Sequence, residues 1–519
     1  MMYGEEKSDS LIVAANLANN PQGAESVERR SGAKGNAEQP HMRRTQSRES
    51  MSQRLSRVRE AAKQRKKERF TALFHLLTAE ALENAFLSLS RKAAAGVDGV
   101  RWKDYAENLK VNIADLHRRL HQGSYRAQPG RRHYIPKADG KQRPLGIASL
   151  EDKIVQYALV KILNAVYEND FMGFSYGFRP GRSQHNALDA LATGLVRTNV
   201  NWVLDADISQ FFDKVSHEWL IRFIEHRIGD QRVIRLIRKW LTAGTSEEGE
   251  WRASEEGEWR ASEEGEWRAS EEGEWRASEE GTPQGAVISP LLANIYLHYV
   301  FDLWAHQWRR RHATGNVVMV RYADDIVIGF DKRIDAQCFR IAMQRRLKEF
   351  GLTVHPKKTR LTEFGRFAAE NRASRGKGKP ETFNFLGFTH ISGKDRSGRF
   401  MLIRKTRRDR MTATLKAIKD GLRKRWHYSI PEQGKWLRIV VQGYLNYHSV
   451  PGNYPMMRKF RIYVTDLWRR ALRRRSQQDD TTWTKANRLA AVWLPKVRVL
   501  HPWPVERFTA RHPRQEPGA

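Results

Sequence analysis

Residues 317–330 read Val-Val-Met-Val-Arg-Tyr-Ala-Asp-Asp-Ile-Val-Ile-Gly-Phe. Two runs rich in β-branched residues flank Tyr322-Ala-Asp-Asp325, the pattern of two paired strands joined by a tight turn. Asp324 and Asp325 are then held at the end of a sheet. Adjacent carboxylates beside apolar strands repel one another, and burying them together is costly without a cation. A divalent ion is the natural counter-charge. Asp is also common in ordinary turns, so these four residues alone leave a metal site and a plain acidic turn both open.

A second strand supplies the partner. Asn201-Trp-Val-Leu-Asp-Ala-Asp-Ile-Ser-Gln-Phe-Phe-Asp213 starts as a strand and dissolves into a turn. Alternation puts Asp205 and Asp207 on one face and Trp202, Leu204 and Ala206 on the other. Asp213 reads as a cap or acceptor at the start of the next helix. With Asp207 beside Asp324 and Asp325, strand-end carboxylates can converge on two divalent ions. Such a pair, about 3.5–4 Å apart, activates an attacking hydroxyl and stabilises a leaving pyrophosphate. Magnesium suits a site of few carboxylates completed by water and phosphate.

The chain of 519 residues is long enough for two or three domains. It carries 92 Lys and Arg against 59 Asp and Glu, a formal charge of +33, so its expected partner is a polyanion, with nucleic acid ahead of loose binding to acidic surfaces. One cysteine, Cys338, excludes an intrachain disulfide or a multi-cysteine zinc module and points to a reducing compartment. The apolar run Leu11–Ala15 is too short for a signal sequence or a membrane span. A cytoplasmic, nucleoid-associated protein without a membrane partner is expected.

Residues 1–50, polar and without apolar periodicity, are expected to form a disordered leader. Helical spacing follows through Phe86 and Leu89 and again from Leu109 to Leu120, with the Ala93–Gly99 turn between. Residues 131–147 look like a hairpin turning at Asp139-Gly140, whose Lys137 and Arg143 suit a triphosphate. Whether the two share a face depends on the loop length. Helical patterns over Glu151–Val166 and Gln184–Leu195 bracket Phe174–Ser183. After the Asp-Asp hairpin come an amphipathic helix over Ala336–Phe350, a strand and turn over Gly351–Thr359, a basic loop from Glu370 to Pro380 and one short strand over Phe383–Phe388.

Ser-Glu-Glu-Gly-Glu-Trp-Arg-Ala occurs four times in tandem over 246–277, and a fifth copy begins at 278–281. A period of eight fits neither a long helix face nor a solenoid, so duplication within a surface loop is the preferred reading. Doubling a flexible loop costs only about 0.6 kcal/mol. From Arg404 onward cations alternate with Leu415, Ile418 and Leu422, as on helices with one buried and one basic face. Arg404, Lys405, Arg407, Arg408, Arg423, Lys424 and Arg425 are the candidate RNA contacts, and nearby aromatics suit unstacked bases, although most of those rings are better placed in a core.

Six motifs in one order carry a family resemblance: Tyr134-Ile-Pro-Lys137 with Arg143-Pro-Leu-Gly146, Gly177-Phe-Arg-Pro-Gly-Arg-Ser183, Asp207-Ile-Ser-Gln-Phe-Phe-Asp213, Thr282-Pro-Gln-Gly-Ala-Val-Ile-Ser-Pro290, Tyr322-Ala-Asp-Asp325 and Phe385-Leu-Gly-Phe388. Together they resemble a bacterial group II intron reverse transcriptase/maturase over roughly residues 65–500, and Arg438–Tyr447 is similar to its maturase motif. The resemblance implies an α+β right-hand polymerase, with an N-terminal extension and fingers over 51–200, an antiparallel-sheet palm over 201–395 interrupted at 246–281, a helical thumb/maturase domain over 396–485 and a short basic tail over 486–519 without an endonuclease. It implies Asp207, Asp324 and Asp325 as catalytic ligands of two Mg²⁺ ions. Lys137 and Arg143 would grip the triphosphate, and Phe212 would be the gate against a ribose 2′-hydroxyl. Gln284 and Gly285 would lie along nucleotide and template, and Lys358 would be a proton donor or phosphate contact. Implied partners are intron RNA, target DNA with a primer, and deoxynucleoside triphosphates, with dimerisation left open. The alternatives are a splicing-only maturase and a reverse transcriptase of another retroelement, the latter opposed by Arg438–Tyr447. Relatives carry something like one octamer, and the three extra units, 24 residues, are expected to loop outward. Deleting them should leave primer extension unchanged, and a large rise in extension would contradict that expectation.

Overall fold

The computed structural model describes residues 40–136, 142–246, 275–276, 280–475 and 481–511. Its strands are β1 (Gly130–Pro136), β2 (Gln142–Ile147), β3 (Trp202–Asp207), β4 (Thr245–Ser246), β5 (Trp275–Arg276), β6 (Val317–Tyr322), β7 (Asp325–Phe330), β8 (Arg360–Glu363), β9 (Thr382–Phe385), β10 (Phe388–Lys394) and β11 (Phe400–Thr406). They form three sheets among many helices, an α+β architecture. The central sheet runs β6-β7-β3-β8, antiparallel throughout.

Both faces of that sheet are covered, which is why its strands are nearly continuous apolar runs rather than alternating ones. On one face Leu204, Ala206, Val317, Met319, Ile326 and Ile328 join the core built with the helices Leu150–Tyr167, Ser289–Leu297 and Arg333–Glu349. On the other, Val203, Val318, Val320 and Val327 pack with Ala187, Leu188 and Leu191 of the Gln184–Arg197 helix and with Phe383, Phe385 and Phe388 of the β11-β10-β9 sheet. Ser183 caps that helix reciprocally with Asn186. A third core, around Leu437, Phe460 and Trp468, joins the helices Arg408–Lys424, Ile430–His448 and Tyr454–Arg473.

Several expectations need correction. A helix spans Pro40–Gln64, so the backbone is already helical inside the stretch expected to be a leader; its Arg, Gln, Met and Glu content favours helix even without a strong apolar face. Phe383–Phe388 is not one strand but two, reversing at Leu386-Gly387, both with positive φ. Residues 351–359 contribute a bridge from Val354 to Ile208, and the strand proper, β8, starts at Arg360. A short helix, Ala368–Ala373, occupies part of the expected basic loop. The helix after β3 is capped by Ser216, not by Asp213.

Most of the octamer array lies outside the described residues, but its two ends pair. Ser246 stands opposite Trp275 and Thr245 opposite Arg276, and β4 adds to β1 in a β2-β1-β4-β5 sheet. The segment that was expected to loop out therefore starts and finishes at one place. Among the described residues no helix is long and apolar enough to cross a membrane.

Four histidines are held neutral by burial. His390 is fully enclosed and stacks on Phe383, and it falls to about 3. His185 also falls to about 3, helped by His501, and His298 and His448 fall to about 4. Each folded value lies below the ordinary 6.5, so the unfolded chain binds more protons between the two values. Their contribution is intact above pH 6.5 and is lost as pH falls toward 3. Denaturant midpoints should drop steadily across that window, and a flat profile would contradict this placement.

Candidate active site

β3 and β7 run antiparallel in a register that sets Asp207 opposite Asp325. Tyr322 pairs with Asp325 to close the β6–β7 hairpin, leaving Ala323 and Asp324 as its two-residue turn. Ala323 has φ +56°, a conformation costly for any residue with a side chain. Two contacts hold it there. Arg321, wholly buried, donates from Nη1 to the Ala323 carbonyl at 3.0 Å and to Asn294 Oδ1 at 3.1 Å, and from Nε to Asp302 Oδ1 at 2.7 Å. Its Nη2 reaches Ser175 Oγ at 2.7 Å. From the other side Gly177 presses on the turn, where a Cβ would lie 2.3 Å from the Ala323 nitrogen.

The edge so formed carries four carboxylates. Asp205, on the same face of β3 as Asp207, belongs with them; the alternation signal had paired the two, but the motif comparison singled out only Asp207. Burial, then Asp325 and Asp207, push Asp205 up to about 7. Asp325 keeps solvent contact, yet its carboxyl is crowded by protein atoms; that crowding, then Asp324 and Asp207, push it up to about 6. Lys358 Nζ lies 2.8 Å from Asp207 Oδ2. It is placed there by the segment that follows Phe350: His355 donates its backbone N–H to the Asp207 carbonyl at 2.7 Å, and Ser209 donates to Thr353. Arg407, at the start of the Arg408–Lys424 helix, opposes both raised values.

An all-oxygen set of crowded carboxylates fits a hard divalent cation in chemistry. As placed, no three carboxylate, imidazole or thiol side chains among the described residues close around one ion position. The lysine on Asp207 supplies part of the charge balance.

The Gln284-Gly285 turn bridges this edge to the β1–β2 hairpin. Gly146 of β2 donates its N–H to the Gln284 carbonyl at 2.7 Å, and Gly285, at φ +113°, abuts the Gly146 carbonyl so closely that a Cβ would lie 2.9 Å away. Gln284 Nε2 is 3.5 Å from Asp213 Oδ1, and Thr282 donates to the Phe212 carbonyl at 2.7 Å. Phe212, half-buried, packs edge-on against Phe211 at 5.3 Å. Lys137 lies outside the described residues; Arg143 is described in its backbone alone, paired with Ile135.

Of the expected RNA contacts, Lys405, Arg408, Arg423 and Lys424 are exposed. Arg404 is not: it is 1% exposed in β11 and pairs with Asp189. Its strand turns it inward, where a helical pattern would have placed it outward. Arg425 is half-covered, its guanidinium 4.4 Å above the Trp436 ring. Arg407 pairs with Asp409 and acts toward the carboxylate edge.

Residues 135–390, which include this whole edge, match the family model for reverse transcriptase (RNA-dependent DNA polymerase). Over these residues the chain is similar to reverse transcriptases. The chain is 38% identical over 230 residues to Protein YkfC of Escherichia coli K12, covering 43% of this chain and 54% of that one. It is 34% identical over 247 residues to the group II intron-encoded protein LtrA of Lactococcus lactis, 47% of this chain and 37% of LtrA. To the nuclear intron maturase 2 of Arabidopsis thaliana it is 32% identical over 91 residues, 18% and 12% of the two chains. The likeness to group II intron reverse transcriptase/maturases read from the six motifs is thus matched by named relatives. The chain spans about half the length, or less, of these relatives.

Proposed function

We propose that the chain is an RNA-directed DNA polymerase of a group II intron, copying intron RNA into DNA and aiding the intron's splicing as a maturase. The observation that carries the reading is the register that sets Asp207 opposite Asp325, beside the Asp324 turn, inside the matched domain. In this reading the central sheet is the palm, the β1–β2 hairpin belongs to the fingers, and the helices from Arg408 onward form a thumb/maturase region. The intron-encoded and maturase relatives support RNA as template and partner.

Two Mg²⁺ ions bound by Asp207, Asp324 and Asp325 would lower the pKa of a primer 3′-hydroxyl and neutralise the leaving pyrophosphate. Asp205 adds negative charge behind them. Lys358 is 63% exposed on a flexible stem, so its ammonium can exchange Asp207 for a phosphate or deliver a proton to the leaving group. Lys137 and Arg143 hold the incoming triphosphate, and the Gln284-Gly285 turn lets that hairpin and the palm share one nucleotide. Phe212, in the short helical turn Phe211–Asp213 that follows β3, excludes a 2′-hydroxyl.

The remaining cations serve the polynucleotide backbone. Between the Arg408–Lys424 and Tyr454–Arg473 helices a cleft of about 340 Å³ is lined by Lys419, Arg423, Arg470, Arg474 and the partly exposed Trp426. Cations around a ring suit phosphate and an unstacked base together. A DNA primer annealed to an RNA template should be extended with Mg²⁺ and deoxynucleoside triphosphates. Absence of any template-dependent product would overturn the reading.

A further inference from the structure

Phe178 is a bulky aromatic at φ +58°, in the left-handed region, with 53% of its surface exposed. A residue of this size pays a steric penalty there that glycine avoids. Its neighbours are fixed and do not need the ring. Gly177 before it sits on the catalytic turn and accepts a hydrogen bond from Asn294 Nδ2 at 2.7 Å. Arg179 after it is buried, paired with Glu168 and donating to the Met172 and Ser175 carbonyls, each at 2.8 Å. The side chain between them enters none of the three apolar cores. Its ring centroid lies 6.3 Å from that of Tyr322, which leads directly into the Asp324 turn.

Strain that stabilises nothing inside the fold is expected where it serves a ligand. We infer that Phe178, with Tyr322, forms an apolar ledge that receives the base and sugar edges of the last nucleotides of the template–primer duplex, fixing the growing end against the carboxylate edge. The inference rests on the polymerase reading above. A duplex end is the fitting occupant because the ledge borders the turn that must meet the primer terminus, and nucleotides present apolar sugar edges and π-faces to an aromatic pair of which Phe178 is exposed. Phe178 is in this sense a positioning residue, holding the primer rather than reacting with it.

Phe178→Gly removes the ring and the backbone strain together, and Phe178→Tyr keeps the ring. Three readouts on the full chain separate the cases: thermal midpoint, affinity for an annealed RNA template and DNA primer, and extension kinetics. Phe178→Gly should keep or raise the midpoint. It should weaken template–primer affinity by about tenfold, the equivalent of ~1.4 kcal/mol and the scale of one base–ring contact. It should also shorten products at limiting enzyme while the KM for deoxynucleotides stays unchanged. Phe178→Tyr should behave as wild type. A lowered midpoint in Phe178→Gly would mark the ring as structural, and unchanged primer affinity or a raised nucleotide KM would place the duplex elsewhere; each overturns the inference. If wild type itself extends nothing, the polymerase reading fails instead.

Discussion

Gly177→Ala should lower primer extension by about 100-fold or more, the scale on which a displacement near 1 Å disrupts catalytic geometry, while the chain still folds. The added Cβ would stand 2.3 Å from the Ala323 nitrogen and 3.0 Å from the Ala323 Cα and the Tyr322 carbonyl carbon. All three are backbone atoms, so no side-chain rotation can make room. The turn has little freedom to yield on its far side, because Arg321 holds the Ala323 carbonyl. Asp324 and Asp325 must therefore shift relative to Asp207, whose strand is held separately by β8. Rates with saturating primer and nucleotide, beside a circular dichroism spectrum, make the check; near-normal turnover would show that the turn tolerates the displacement.

Asp302→Ala should destabilise the protein by about 3–5 kcal/mol, the range for stripping the partner from a buried charge. Asp302 and Arg321 are each without solvent exposure, and both carboxylate oxygens engage the guanidinium. The helix from Ser289 widens into a π turn over His298–Asp302, and at its end Asp302 faces β6. Arg321 is wholly buried, so the charge would remain uncompensated. The denaturant midpoint reports the loss. Asp302→Asn should lose less, because it retains a carbonyl oxygen to accept one of those hydrogen bonds. A cost near zero for Asp302→Ala would mean that Ser175, Asn294 and the Ala323 carbonyl satisfy the guanidinium without it.

The central hairpin was legible because its signal is local: a β-branched run, a turn, a second run. Asp207 was legible for the same reason, and alternation had already set Asp205 beside it. The register between the two strands is a tertiary property, and only that register makes Asp205 part of the same acidic edge. Arg321 shows the opposite limit. An arginine within an apolar strand gives no hint of its partner when that partner, Asp302, sits on a π turn that helical spacing cannot anticipate. Arg404 was placed among surface cations because basic residues follow it closely; strand alternation instead sends it inward to Asp189, which Arg507 also meets from the Pro504–Arg511 helix. Gly177 and Phe178 lie within a recognised motif, but a motif does not reveal which atom touches the Ala323-Asp324 turn or which residue bears a positive φ.

The most direct test compares the full chain with Asp207→Ala on one annealed RNA template and DNA primer, with Mg²⁺ and deoxynucleoside triphosphates, reading the extended DNA and RNA binding across a salt series. Wild type should yield DNA complementary to the template, whereas Asp207→Ala should lose nearly all extension yet keep salt-sensitive RNA binding, because the basic surface is untouched. Equal extension by the two proteins would contradict the assignment of Asp207 and, with it, the catalytic edge.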